Sequence, residues 1–260
     1  MRTVAIVQAR MGSSRLPGKV MMKVGGIPLI GLLLTRLALS ERIDEIVLAT
    51  SIDANNDPLC DYVTDLGYRC VRGSEQDVLA RFMKAAEATR ADIIIRVTGD
   101  CPLIDASLID DMLNRFSTLN IDYLNNCDPP SFPNGLDAEI FTRAALELAD
   151  AEATEPGHRE HVTPYLRWKD TVRRGQYIND RDLSAMRWTV DELADFEVVK
   201  GIFDHFSSDT LFSWHAICEL AEKQPQIFKF NEHLKRNEGM HLSEDEKRKR
   251  FTDQSSNQDI

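Results

Sequence analysis

Short apolar runs rich in β-branched residues recur along the first half of the chain. Stretches of helical patterning separate them, and this alternation constrains the fold more than any other feature. Val4-Ala5-Ile6-Val7 reads as a buried strand, and Leu29 to Ala38, apolar almost all round, as a helix packed on a sheet. Ile46 to Thr50 is a second strand. Asp57-Pro58 opens a helix that Gly67 stops, and Tyr68 to Val71 is a short third strand. A helix follows from Ser74–Asp77 to about Arg90, then a fourth strand, Ile93 to Thr98, a helix capped by Asp105, and a fifth strand, Ile121 to Leu124. Such spacing predicts an α/β fold in three layers, a mostly parallel, doubly wound sheet with helices on both faces. Sheets of this kind bind ligands outside the carboxyl ends of their strands, where the strand order reverses. If the first and fourth strands are neighbours there, the loops after Val7 and Thr98 face each other.

The second half is less regular. Asp128 to Gly135 is a breaker-rich loop, followed by a helix over about Thr142 to Ala153, a strand over Val172 to Tyr177 and a helix over Glu192 to Phe206. These read as an extension of the first half, so residues 1–230 form one domain. Residues 231–260 read as a charged tail, helical to about Lys249 and then fraying. At 260 residues the chain can bury one large core. A formal charge of −11 argues against a nucleic-acid partner but leaves room for a local cationic loop that binds a small anion. The five cysteines form no CxxC pair, so neither zinc nor a disulfide framework is expected. The first strand begins within a few residues of Met1, leaving no room for a signal peptide, and no apolar run approaches the roughly 18 residues of a membrane span. A cytoplasmic protein without a membrane partner is the expectation.

Chemistry concentrates after the first strand. Gln8 to Lys19 sets Arg10, Arg15 and Lys19 on a loop with two glycines, two serines and a proline. Glycines allow close backbone approach, and successive N–H groups in such a loop form an anion-binding concavity. The loop suits a polyphosphate, although a solvated basic turn is the plainer alternative; it matches neither the P-loop GxxxxGK[ST] nor GxGxxG. Opposite it, Asp100 follows Thr98-Gly99 at the end of the fourth strand. A carboxylate facing three cations is where Mg²⁺ would serve a triphosphate, unless Asp100 only caps a turn.

The run R-x-x-S-x-R-L-P-G-K at Arg10 to Lys19 resembles the nucleotide loop of the cytidylyltransferases that activate sugar acids. These are the CMP-KDO synthetase and acylneuraminate cytidylyltransferase group, most closely the spore-coat polysaccharide type. Five further stretches extend the resemblance to about Phe206: Arg72 to Phe82, Gly99-Asp100-Cys101-Pro102, Pro133 to Phe141, His158 to Tyr165, and Arg187 to Glu197 with its T-V-D. It implies the nucleotide-diphospho-sugar transferase architecture, CTP and a small acidic acceptor as partners, Mg²⁺ as cofactor and a homodimer. Carried over residue by residue, it puts Arg10, Lys19, Asp100 and Asp191 in the catalytic role, with Asp100 and Asp191 as the metal ligands. Asp195 is the weaker substitute for Asp191. The nucleotide would contact Gln8, Ala9, Arg10, Met11, Gly12, Ser13, Arg15, Lys19, Arg72, Ser74, Asp77, Thr98 and Asp100. Ser74 and Asp77 also fit a capping box, so a purely structural role competes.

Acceptor contacts are expected from Arg96, Asn134, Asp137, Glu139, Arg159 and His161. Asp137 and Glu139 alternate on a strand and share a face, which suits sugar hydroxyls or an ion pair across an interface. Arg159, His161 and Tyr165 stand at helical spacing; His161 is the one candidate for a general base, although a lone helical histidine is commonly structural. Two other classes compete. A glycosyltransferase would want a D-x-D pair, which Asp100 lacks, and a non-catalytic nucleotide sensor would need no second metal aspartate.

Overall fold

The computed structural model describes residues 1–207 and 209–236. Along the chain these form β1 (Thr3–Gln8), β2 (Lys23–Val24), β3 (Ile27–Pro28), α1 (Leu29–Leu37), β4 (Glu45–Ser51), α2 (Asp57–Asp65) and β5 (Arg69–Gly73). Then come α3 (Val78–Thr89), β6 (Ile93–Thr98), α4 (Ala106–Thr118), β7 (Tyr123–Asn125), β8 (Glu139–Thr142), α5 (Arg143–Glu152), α6 (Pro156–His161) and α7 (Pro164–Trp168). Finally β9 (Arg174–Gln176), α8 (Leu193–Phe206) and α9 (Trp214–Lys223) lead into a 3-10 segment, Pro225–Asn231.

Seven strands make one sheet in the order β5-β4-β1-β6-β8-β7-β9. Its pairs are parallel except those of β8 with β6 and β7, so the sheet is mostly parallel. From β1 the chain winds outward through β4 to β5, then returns to place β6 on the other side of β1. The reversal therefore falls between β1 and β6, as the alternating pattern predicts. Gln8 pairs with Thr98 at their shared carboxyl end.

The pleat sends alternate side chains to opposite faces. Ala5 and Val7 join the core built with α1, α4, α8 and α9, whereas Val4 and Ile6 join the one built with α3 and α5. Both faces are thus covered, which is why the central strands read as continuous apolar runs.

Several elements differ from the sequence reading. The fifth strand is Tyr123–Asn125, and the strand expected over Val172 to Tyr177 shrinks to Arg174–Gln176. Arg187 to Asp191 forms no strand of the sheet; its one β-bridge pairs Arg187 with Asn134. No continuous helix spans Arg159 to Tyr165: it stops at Val162, which has φ 70°, and a new one starts at Pro164. Ser74 and Asp77 form no capping box. Asp77 itself caps α3 by accepting from the Ala80 N–H, and the reciprocal box stands at α8, between Glu192 and Asp195. Cys60 and Cys70 form a disulfide, against the expectation of none. Folding α2 back beside β5 brings their Cα atoms to 5.8 Å, within bonding reach, from a spacing that matches no short motif. No described helix is long and apolar enough to cross a membrane. The tail expected beyond Arg236 lies outside the described residues.

Candidate active site

The loop after β1 folds over the sheet switch point. Gly18 closes it at φ 73°, its N–H donating to the Met11 carbonyl, and Lys19 opens a single 3-10 turn. The Met11 N–H in turn donates to Asn56 Oδ1 at 2.8 Å. On the facing side, Gly99 follows β6 where any Cβ would lie 2.5 Å from that of Ala9, so glycine lets the two strand ends stay side by side.

A cleft of about 320 Å³ lies between them, lined by Gln8, Ala9, Arg10, Ser13, Arg15, Lys19, Thr98 and Asp100, with Val78 and Arg81 of α3 and Glu160 and His161 of α6. Asp191 reaches the same place from the other half of the chain. The Val190 N–H donates to the Asp100 carbonyl at 2.8 Å, and the Trp188 and Thr189 N–H groups donate to the Asn134 carbonyl. Gly135, at φ +114°, permits this crossing, since a Cβ there would meet the Thr189 nitrogen at 2.6 Å.

Lys19 is the centre of the arrangement. Its Nζ donates to Asp100 Oδ2 and to Asp191 Oδ1, each at 2.9 Å, and Arg15 lies 3.0 Å from the same Asp191 oxygen. Burial opposes the charge of Lys19, yet the two aspartates together hold its ammonium above the usual lysine value. Burial would likewise push the Asp100 carboxyl up, but the ammonium beside it, with hydrogen bonds from Thr98 and Cys101, brings it down to about 2. Two carboxylates that converge on one cation, beside a cationic anion cradle, are a donor set that a hard divalent ion would also accept. Among the described residues no group of three or more His, Cys, Asp or Glu side chains suits a metal ion.

Beside this cleft, and sharing Thr98 with it, is a cavity of about 160 Å³ lined by Arg96, Cys127, Asp137, Glu139, Arg167 and Arg236. Glu139, only 2 % exposed, accepts from Arg96 on one oxygen and from Arg167 and the Tyr123 hydroxyl on the other. Burial opposes its charge, but Arg96 and Arg167 outweigh this and hold it at about 2. Burial pushes Asp137 up to about 6 even though Arg236 ion-pairs with it.

Other expected contacts lie elsewhere. Arg72 binds Asp57 and the Ser51 and Asp53 carbonyls and does not line the cleft. Asp77 and Arg159 bind each other at 2.7 Å, and Arg159 also grips Asp150, so together they clamp α6 to α3 and α5. Ser74 lines a separate shallow groove with Arg10 and Glu75. Met11 and Gly12 support the loop without lining the cleft, Asn134 pairs its backbone with the Arg187 segment, and His161 lines the first cleft instead of the acceptor-side cavity. Asp195 is buried and paired with Arg187.

Arg81, Arg167, Arg187 and Arg236 are residues that the sequence reading missed. Arg187 opens the stretch that carries the T-V-D resemblance, and Arg81 left a local trace as a cation on the α3 face otherwise made of Val78, Leu79, Phe82 and Ala85. Burial lowers its guanidinium to about 10, with Arg10 adding to the effect.

A switch-point cleft with a cationic loop, facing aspartates from two distant segments, marks the α/β nucleotidyltransferases. The chain belongs to the cytidylyltransferase family, whose profile it matches over residues 4–254. It is 34% identical over 228 residues to the spore coat polysaccharide biosynthesis protein SpsF of Bacillus subtilis, covering 85% of this chain and 94% of that one. A solved cytidylyltransferase from Leptospira borgpetersenii superposes with a TM-score of 0.84 at 35% identity, over 88% of this chain and 97% of the other. A CMP:2-keto-3-deoxy-manno-octonic acid synthetase solved in complex with CTP shares the fold. Its TM-score is 0.61 at 16% identity, over 79% of this chain and all of that one.

Proposed function

We propose that this enzyme transfers CMP from CTP to an acidic sugar, releasing pyrophosphate, in the synthesis of a cell-surface polysaccharide or glycoconjugate. One observation carries the reading: Asp100 and Asp191, from distant parts of the chain, share the ammonium of Lys19, which lines the cleft together with Asp100. Family membership and the name of the Bacillus subtilis relative support the nucleotide and the setting.

Arg10, Arg15 and Lys19, with the N–H groups of the loop, bind the triphosphate. Its oxygens offer Lys19 and Arg15 stronger partners than the aspartates and so free carboxylate oxygens of Asp100 and Asp191. Those two residues would hold Mg²⁺, which when bound polarises the α-phosphate and lowers the pKa of an attacking oxygen. The acceptor lies in the adjacent cavity, where Arg96, Arg167 and Arg236 offset the charge of its carboxylate and Asp137 accepts from a hydroxyl. The acceptor oxygen approaches the α-phosphorus in line with the departing pyrophosphate, and the fixed cations stabilise the charge that gathers on the phosphate oxygens. A cytoplasmic location and a homodimeric assembly belong to the same proposal, and light scattering on the purified protein checks the second.

The test is incubation with CTP, Mg²⁺ and a panel of nonulosonic and octulosonic acids. Pyrophosphate release that requires an acceptor is the expected result. Sugar transfer from a nucleotide-sugar with release of its nucleotide, or binding of CTP with no turnover on any acid, overturns the reading.

A further inference from the structure

Asp191 is held from two sides. Its Oδ1 faces Lys19 and Arg15, while its Oδ2 accepts from Arg187 Nη2 at 2.9 Å. Arg187 is buried and forks onto Asp195, with Nε and Nη2 at 2.8 and 3.0 Å from the two carboxylate oxygens. Asp195 has no exposed surface and also accepts from the backbone N–H groups of Asp191 and Glu192. The same buried ion pair therefore grips both the backbone and the side chain of Asp191. Asn231, from the 3-10 segment at the far end of the described chain, donates to Asp195 Oδ1 at 2.9 Å and to the Arg187 carbonyl at 3.0 Å.

A buried ion pair is a weak means of stabilising a fold, because desolvation offsets most of the attraction. It is a good means of fixing direction, since a guanidinium fork on a carboxylate sets both planes. Groups that hydrogen-bond a ligating carboxylate commonly change metal affinity by 10- to 100-fold when removed. We propose that Arg187, braced by Asp195 and Asn231, is a positioning residue that turns Asp191 Oδ1 into the cleft, which makes the C-terminal segment part of the active-site framework. This inference rests on the nucleotidyl-transfer reading above and deepens it.

Mn²⁺ provides the probe, titrated by electron paramagnetic resonance in the presence of saturating CTP. Two variants are compared with the wild type: Asn231→Ala, and Arg187→Met combined with Asp195→Asn so that no buried charge is left alone. In both, the Mn²⁺ dissociation constant should rise about 10- to 100-fold. CTP binding without a divalent ion should stay within about twofold, because none of these residues touches the cationic loop's proposed phosphate site. A cooperatively melting Asn231→Ala protein that binds Mn²⁺ as the wild type does would overturn the inference, whatever becomes of the double variant. Wild-type protein that fails to take up Mn²⁺ with CTP would defeat the nucleotidyl-transfer reading itself, before any variant is compared.

Discussion

Asp100 is the residue on which the proposed chemistry turns most directly. Asp100→Asn keeps the shape and loses the charge that faces Lys19, so turnover should fall at least about 100-fold, as when a fixed electrostatic group is lost. Circular dichroism and melting should show the fold retained; unchanged activity would remove Asp100 from the site. Gly99 works by being small. Gly99→Ala would drive a methyl group to 2.5 Å from Ala9 Cβ, against backbone that cannot yield easily. Overpacking of this kind costs about 1–3 kcal/mol, readable by urea denaturation, and should weaken CTP binding because the cationic loop springs from Ala9. Asp100 could be read directly from the chain, because it sits beside a strand end whose position follows from local pattern; the approach of Gly99 to Ala9 shows only in the fold. Arg159 and Asp77 could not be read this way. Each looks like a ligand by type, yet they neutralise each other across α3 and α6, and only their spatial partners show this.

At the scale of elements, buried ion pairs and a covalent bond join segments that the chain keeps apart. Glu139 on β8 ties β6, β7 and α7 together through Arg96, Tyr123 and Arg167. Its carboxyl stands at about 2 in the fold, against an ordinary value of 4.5. A depressed carboxyl stabilises the fold above its unfolded value, and that contribution is lost as pH falls from about 4.5 through about 2. The shift corresponds to about 3 kcal/mol at neutral pH. Glu139→Gln should therefore lower stability by about that much at pH 7, and the gap to wild type should close toward pH 2, as measured by denaturant titration at several pH values. The Cys60–Cys70 bond links α2 to β5. Cys60→Ser should cost about 3 kcal/mol, from the chain entropy of a loop this short. Thiol titration of the denatured wild type should find three free groups before reduction and five after it.

At the scale of the whole molecule, the segment after α9 packs across the site instead of trailing from it. Ile227 lies against Gly201 of α8, Asn231 braces Asp195, and Arg236 reaches Asp137 and the Phe132 carbonyl. A chain ending at Gln224 would leave Asp195 and Arg187 without their Asn231 contacts and open the core beside α8. Such a protein should melt at a lower temperature than the full chain, and calorimetry on both checks this.

The amino-acid sequence alone was enough to determine the alternation of strands and helices, the start of a helix at Asp57-Pro58, the cap at Asp105 and the cationic loop after the first strand. All of these follow from periodicity and turn chemistry within a dozen residues, where the chain's own geometry limits the outcome. Tertiary structure alone decided which charges meet: Arg187 and Asp195 behind Asp191, and Arg167 and Arg236 in the second cavity. It likewise decided that Cys60 bonds Cys70. The physical reason is that an ion pair or a disulfide is set by distance in space, and nothing in a side chain's type or its sequence neighbours encodes which distant partner the fold will bring within 3 Å.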